Sequence, residues 1–298
     1  MRALAWFVAA VAGTLVLAAL LGYPVWRLTQ ALGADWPFHK VTSRLWQLLL
    51  LGGIVLAVRR LGLGSRADWG YGQPRAQFLR HAGAGLAIGL ATMLPMSLAM
   101  TALGILEPGA DLDAVSLLRY LAAGAAIGIA VAAVEETFFR GLMYRGITRE
   151  SGLAAAVGGT ALFYSAIHFL ARARIGHDQI GWGSGFELMG VALSRFAQPA
   201  SIADAFVTLA LVGVLLALLR HRTGGIAAGI GLHTGWICVI KATKWSTTPA
   251  PDSPWSFLVG SFDGYTGWLV AGWAALLLLA GLAFGWLRPA GSATAARG

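Results

Sequence analysis

Long apolar stretches recur along this 298-residue chain, and they constrain its fold more than any other feature. Hydrophobic residues make up 57% of the sequence and charged residues only 12%, a balance far from that of a soluble domain. A helix needs roughly 20 apolar residues to cross the ~30 Å hydrocarbon layer of a bilayer. The sequence predicts eight such helices, near residues 4–21, 45–58, 76–103, 116–135, 153–171, 202–219, 224–241 and 266–287.

The fold class follows from what a bilayer tolerates. Backbone polar groups in lipid must be satisfied within a helix or a closed barrel, and the alternating ~10-residue strands of a barrel do not occur here. We therefore predict an all-α, polytopic transmembrane helical bundle in one domain over residues 1–298. Residues 172–200, with Ser184 in a glycine-rich segment, are predicted to be a connector, and residues 289–298 a disordered tail.

The charge of the chain bears on its partners and its orientation. The net charge is +9, but the arginines lie singly or in pairs between apolar segments, so we expect membrane lipid and no nucleic acid as a partner. Placing the N-terminus inside assigns 13 basic residues to the cytoplasmic side and nine to the other. We expect both termini on the cytoplasmic side of a bacterial cytoplasmic (inner) membrane.

Three charged residues, Glu135, Glu136 and Arg140, directly follow the apolar run 125–134. An ionisable group at the bilayer centre costs about 2.5–3.5 kcal/mol on insertion scales, so such groups are usually paired and face the interior. Glu136 and Arg140 are four residues apart on a helix, which predicts an ion pair. Glu135 is rotated by about 100° from Glu136 and is free to meet a group on another helix.

Two histidines on later helices are candidates to meet Glu135. Glu135 and His168 are 33 residues apart, with their midpoint at the predicted turn Ser151-Gly152. In an antiparallel hairpin with a rise of ~1.5 Å per residue, both would lie about 25 Å from that turn, at equal depth. His233 lies about 15 Å beyond the next turn on the same side, which is roughly 10 Å shallower if the two turns are level. We therefore predict that the first hairpin projects beyond the second and that one carboxylate and two imidazoles converge.

Such a cluster suits hydrolysis by either of two routes. A desolvated glutamate beside a histidine can take a proton from water, and a second histidine can donate a hydrogen bond to the oxyanion that forms. In the alternative, Glu135, His168 and His233 bind Zn²⁺, since two histidines, one glutamate and an open position form a recognised catalytic zinc site. We favour the route that requires no cofactor.

Three motifs carry a resemblance to a known family: residues 135–141 (EETFFRG), 164–168 (YSAIH) and 231–236 (GLHTGW). They resemble the motifs of the CAAX protease and bacteriocin-processing family of intramembrane endopeptidases, over about residues 116–241. The resemblance implies that Glu135 and His168 activate water and that His233 helps to stabilise the oxyanion. It also implies that Glu136 and Arg140 shape the site, and that the substrate is a hydrophobic or lipid-modified peptide or protein in the membrane.

The chain departs from the family pattern at two positions. Tyr164 stands where the second motif usually has Phe, and Ile237 stands where the third usually has Asn or Asp. Ile237 cannot donate a hydrogen bond, so weakened activity is expected unless Trp236 or Thr234 supplies a donor; Tyr164 and Trp236 are the auxiliary candidates. An alternative function is a non-catalytic or transport-type protein that uses the same buried charges as a polar relay or binding pocket.

Overall fold

The computed structural model describes residues 1–109, 113–170, 180–250, 252–260 and 262–287, and the predicted tail 289–298 lies outside them. The described chain is an all-α bundle, as predicted. Its helices are α1 (Arg2–Ala31), α2 (Phe38–Arg60), α3 (Arg75–Ala102), α4 (Ala114–Glu136), α5 (Tyr144–His168), α6 (Ser184–Leu193), α7 (Ala203–Thr223), α8 (Ala227–Ser246) and α9 (Trp268–Ala283), with a π-helix at Thr137–Met143 between α4 and α5.

Within the described residues, five helical stretches are long and apolar enough to cross a membrane: Arg2–Ala31, Phe38–Arg60, Arg75–Ala102, Ala114–His168 and Ala203–Thr223. The fourth of them contains two of the predicted spans. The remaining predicted spans correspond to α8, which carries several polar residues, and to the shorter apolar helix α9. Each predicted span therefore matches a helix, and the chain is an integral membrane protein.

The predicted hairpin between α4 and α5 is present. Gly152 interrupts α5 with a φ of 78°, a left-handed conformation that favours glycine, and the side chain of Ile147 approaches Gly159 across the turn. The rings of Phe139 and Tyr164, whose midpoint is also the turn, have centroids 5.1 Å apart. This is the register that the sequence predicts for Glu135 and His168.

The structure corrects the prediction of a plain connector over residues 172–200. Ser184, predicted to lie in a flexible loop, is buried and begins α6, which packs against α1. A Cβ on Gly185 would lie 1.9 Å from the Ala19 carbonyl oxygen, so glycine permits this contact. Gly185, which looks like a loop residue in the sequence, is thus a contact point between helices; residues 171–179 lie outside the described ranges.

Two short strands add to the helices on the side of the molecule away from the Gly152 turn. Strand β1 (Leu106–Pro108) pairs antiparallel with β2 (Thr247–Pro249), with Leu106 opposite Pro249. The first strand follows α3 and the second follows α8, so the pair ties the ends of these two helices together.

Helices α3 and α8 lie in close backbone contact through glycines on both sides. A Cβ at Gly85 would lie 2.2 Å from the Ala228 carbonyl oxygen, and one at Gly231 would lie 2.0 Å from the Ala82 carbonyl oxygen. Small residues allow this kind of approach between membrane helices. The contact fixes α8, and with it His233, relative to the rest of the bundle.

We expect Gly85→Ala to lower the free energy of unfolding by about 1–3 kcal/mol, because the added methyl group forces the two backbones apart. Gly83→Ala is the matched control, since a Cβ at Gly83 meets nothing within 4 Å. The control is expected to change stability by at most about 1 kcal/mol, in the stabilising direction. Thermal unfolding of both variants in the same detergent would check this, and equal effects would contradict the close contact.

The segment between α2 and α3 holds the far end of the hairpin. The Asp68 carboxylate accepts hydrogen bonds from the Ser65 hydroxyl and from the Arg149 guanidinium of α5. Burial alone would raise the pKa of Asp68, but these partners lower it below its ordinary value. The Tyr71 hydroxyl lies 2.7 Å from that of Thr137, so the segment also contacts the π-helix that contains Arg140.

Candidate active site

The π-helix places a completely buried ion pair at the centre of the bundle. Nη1 of Arg140 lies 3.0 Å from Oε1 of Glu136, and both side chains are 0% exposed. The predicted ion pair is therefore formed. The Arg140 guanidinium also lies 4.5 Å from the ring centroid of Tyr164. π-helical turns are rare in proteins, but those that occur are often found at functional sites. Here the π-helix directly follows the apolar helix α4.

His233 joins the ion pair to Glu135. Its Nδ1 lies 3.3 Å from Oε1 of Glu136, and its Nε2 lies 3.9 Å from Oε2 of Glu135. The sequence predicts that Glu135 meets another helix, but not that Glu136 is shared between Arg140 and His233. Gly229, one helical turn before His233, leaves room for Glu136, because a Cβ there would lie 2.7 Å from Oε2 of Glu136.

His168 is oriented by its own helix. Its Nδ1 lies 2.7 Å from the carbonyl oxygen of Tyr164. A carbonyl oxygen only accepts, so Nδ1 carries the proton and donates it, which leaves the lone pair on Nε2 available. The rings of His168 and Tyr164 are in edge contact, with centroids 4.4 Å apart. His168 is therefore held in the tautomer that a proton acceptor needs.

Glu135, Tyr164, His168 and His233 line one cavity of about 870 Å³. The Glu135 side chain is 24% exposed, and its Oε2 makes no hydrogen bond to any residue that the structure describes. Most of the other lining residues are apolar: Met93, Ile127, Val131, Leu170, Leu209, Val212, Trp236, Ile237, Ile240, Phe262 and Val270. The structure thus brings the predicted carboxylate and both imidazoles to one apolar cavity.

The cavity has a cationic end that the sequence reasoning missed. Lys241, Lys244 and Arg195 line it, and Lys244 is paired with Asp263 at 2.6 Å. Burial alone would raise the pKa of Asp263, but Lys244 and nearby backbone amides lower it below its ordinary value. Lys241 makes no ion pair with the described residues. Lys241 follows His233 by eight residues, about two helical turns, and this spacing could have indicated from the sequence that both residues face the same cavity.

Trp236 and Thr234 are the two candidates to supply the hydrogen-bond donor that Ile237 lacks, and their side chains lie in different surroundings. Ile237 itself lines the cavity with an apolar side chain. The indole Nε1 of Trp236 donates to the Thr92 hydroxyl at 2.9 Å, so this N–H is already committed. The Thr234 hydroxyl is buried and without a hydrogen bond among the described residues, but Thr234 lies against Gly128 of α4 and does not line the cavity.

The zinc alternative stays a prediction. Within the described residues, no group of three His, Cys, Asp or Glu side chains is placed to hold a metal ion, and this includes Glu135, His168 and His233. No step below involves a metal.

Comparison with known proteins gives one match. Residues 117–239 match the family model described as type II CAAX prenyl endopeptidase Rce1-like. The matched segment runs from α4 to α8 and contains all three motifs, so the predicted resemblance is confirmed. No curated protein and no solved structure matches the chain.

Proposed function

We propose that this chain, a membrane protein whose residues 117–239 belong to the Rce1-like CAAX endopeptidase family, is an intramembrane endopeptidase of hydrophobic or lipid-modified substrates. The observation that carries the proposal is the cavity in which Glu135, His168 and His233 meet, directly beside a buried ion pair. Most of its other lining residues are apolar, so an apolar peptide segment would be bound away from bulk water, and substrate would enter laterally from the bilayer.

The proposed reaction is water-dependent hydrolysis. Glu135 takes a proton from a water molecule, and the Nε2 lone pair of His168 holds the second hydrogen of that water. The water oxygen bonds to the scissile carbonyl carbon, and the carbonyl π electrons move to the oxygen. The C–N bond then breaks, and the proton held by Glu135 passes to the leaving nitrogen. His233, held between two carboxylates, donates a hydrogen bond to the oxyanion.

The cationic end of the cavity suggests which end of the peptide it receives. His233, Ile237 and Lys241 follow one face of α8 and all line the cavity. Eight residues of helix span ~12 Å, which is the length of roughly three to four extended peptide residues. A peptide with its scissile bond at His233 would therefore place a nearby C-terminal carboxylate at Lys241, which has no ion-pair partner among the described residues.

Purified protein in nanodiscs should hydrolyse fluorogenic peptides that have an apolar or prenylated C-terminal segment. We expect a free C-terminal carboxylate to lower KM by roughly 10–100-fold relative to the C-terminal amide, because a charge-assisted hydrogen bond contributes about 1.5–3 kcal/mol. Lys241→Met should abolish this preference. Lys40→Met is the matched control, since Lys40 lies in α2 and does not line the cavity.

The role of Lys241 and the hydrolase function would be contradicted by two different outcomes. A carboxylate preference that is unchanged in Lys241→Met would overturn the role of Lys241 and leave the hydrolase intact. No hydrolysis across a library of such peptides would overturn the proposed function, and the buried charges would then belong to a polar relay or a binding pocket.

We also place the segment between α2 and α3 on the cytoplasmic side, with both termini, in a bacterial inner membrane. Asp68 is the single acidic residue at 59–80, a range that carries the five arginines Arg59, Arg60, Arg66, Arg75 and Arg80. An excess of basic residues is typical of cytoplasmic loops. A cysteine substituted for exposed Arg66 should be protected from an impermeant maleimide in intact cells, and labelling from outside would contradict this orientation.

A further inference from the structure

We infer that the Tyr164 hydroxyl is an oxyanion donor of this site and replaces the donor that Ile237 cannot supply. The inference rests on the proposed hydrolase function and extends it by one catalytic residue.

Tyr164 is fixed in place on every side of its ring. It is 2% exposed, and its ring packs at right angles against that of Phe139. The His168 ring lies against it at 4.4 Å and the Arg140 guanidinium at 4.5 Å. Tyr164 lines the cavity together with Glu135, and its ring centroid lies 6.4 Å from that of His233. The phenol is therefore held at the wall of the cavity that contains the proposed general base.

Three other hydroxyl or indole donors that line the cavity are committed elsewhere. Trp236 donates to Thr92, the Tyr265 hydroxyl is bonded to Ser97 at 2.8 Å, and the Thr208 hydroxyl donates to the carbonyl oxygen of Asp204 at 2.8 Å. Nδ1 of His168 is engaged with its own helix. Among the described side chains beside Glu135, this leaves His233 and the phenol of Tyr164 to face the reacting carbonyl.

The chemistry of a phenol suits this role. It is a neutral donor at physiological pH, so it adds no desolvated charge to an apolar cavity. As the water oxygen bonds to the carbonyl carbon, the π electron pair moves to the carbonyl oxygen, and Tyr164 hydrogen-bonds to that oxygen while it keeps its own proton. The guanidinium over the ring draws electron density from the phenol, which strengthens the O–H donor without further reorganisation.

The decisive experiment removes one oxygen atom. Tyr164→Phe is expected to lower kcat by about 10²–10³-fold, as for the loss of one oxyanion donor, with KM changed by less than about threefold. Tyr144→Phe is the matched control. Tyr144 is also a buried tyrosine, its hydroxyl lies 3.2 Å from Nδ1 of His221, and it does not line the cavity. The control should keep the wild-type kcat, and thermal unfolding of both variants should confirm that each is folded.

A second variant separates a missing donor from disturbed packing. Ile237 lines the same cavity, one turn beyond His233, so Ile237→Asn offers a new donor to it. Added to Tyr164→Phe, it is expected to restore kcat at least about tenfold, which relief of packing strain would not do.

Each result has one meaning. A wild-type kcat in Tyr164→Phe, with Glu135→Gln inactive, would overturn the role of Tyr164 while the proposed function stands. A loss of kcat that Ile237→Asn fails to restore would also overturn it, because the loss would then be structural. A peptidase activity that survives Glu135→Gln would overturn the proposed function itself.

Discussion

Glu135→Gln is expected to lower kcat for peptide hydrolysis by about 10²–10⁴-fold, the contribution of a positioned general base. The substitution keeps the volume of the side chain and removes only its ability to take a proton. Glu135 is 24% exposed to the cavity and makes no ion pair as short as that of Glu136, so the fold should tolerate the change. Initial rates on the fluorogenic peptides would measure it.

The control for Glu135→Gln is Glu187→Gln, which removes a carboxylate from α6 outside the cavity and should leave kcat unchanged. Combining Glu135→Gln with His168→Gln provides a stricter check. Groups that act on the same water are strongly non-additive, so the double variant should be little slower than the worse single variant. Multiplicative losses would show that the two residues act in separate steps, which contradicts the proposed reaction.

The helical pattern of the sequence was sufficient for the hairpin and its register. Glu135 and His168 are equidistant from the Ser151-Gly152 turn, and the contact between Phe139 and Tyr164 shows that this spacing persists in the structure. The pairing of Glu136 with Arg140 was predictable for the same reason, because residues four apart on a helix are neighbours whatever surrounds them.

Contacts between distant segments could not be predicted from such local rules. The approach of His233 to Glu136 depends on how α8 packs against α4, and that packing depends on glycines such as Gly229 and Gly128, where a Cβ would meet Glu136 or the Thr234 carbonyl oxygen. Glycines in membrane helices indicate close approach of a neighbour, but the sequence does not tell which helix each of them meets. The helix that begins at Ser184 was missed for the same reason.

The buried ion pair should matter as much for stability as Glu135 does for catalysis. Arg140 and Glu136 are both 0% exposed, so removing Arg140 takes from Glu136 its nearest cation in an apolar interior and leaves only His233, at 3.3 Å, beside it. Arg140→Met is expected to lower the free energy of unfolding by about 3–5 kcal/mol, the usual cost of breaking a buried pair. Thermal or denaturant unfolding in one detergent, compared with Arg149→Met on the partly exposed Arg149, would measure it.

The double variant Arg140→Met with Glu136→Gln then separates stability from function. It removes both charges, so most of the stability lost in Arg140→Met should return, whereas additive losses would show that the pair is not coupled. Peptide hydrolysis should nevertheless stay impaired. His233 loses the carboxylate that lies 3.3 Å from its Nδ1, and Tyr164 loses the guanidinium over its ring. A double variant with both stability and kcat restored would show that the pair is only a structural element, with no part in orienting His233.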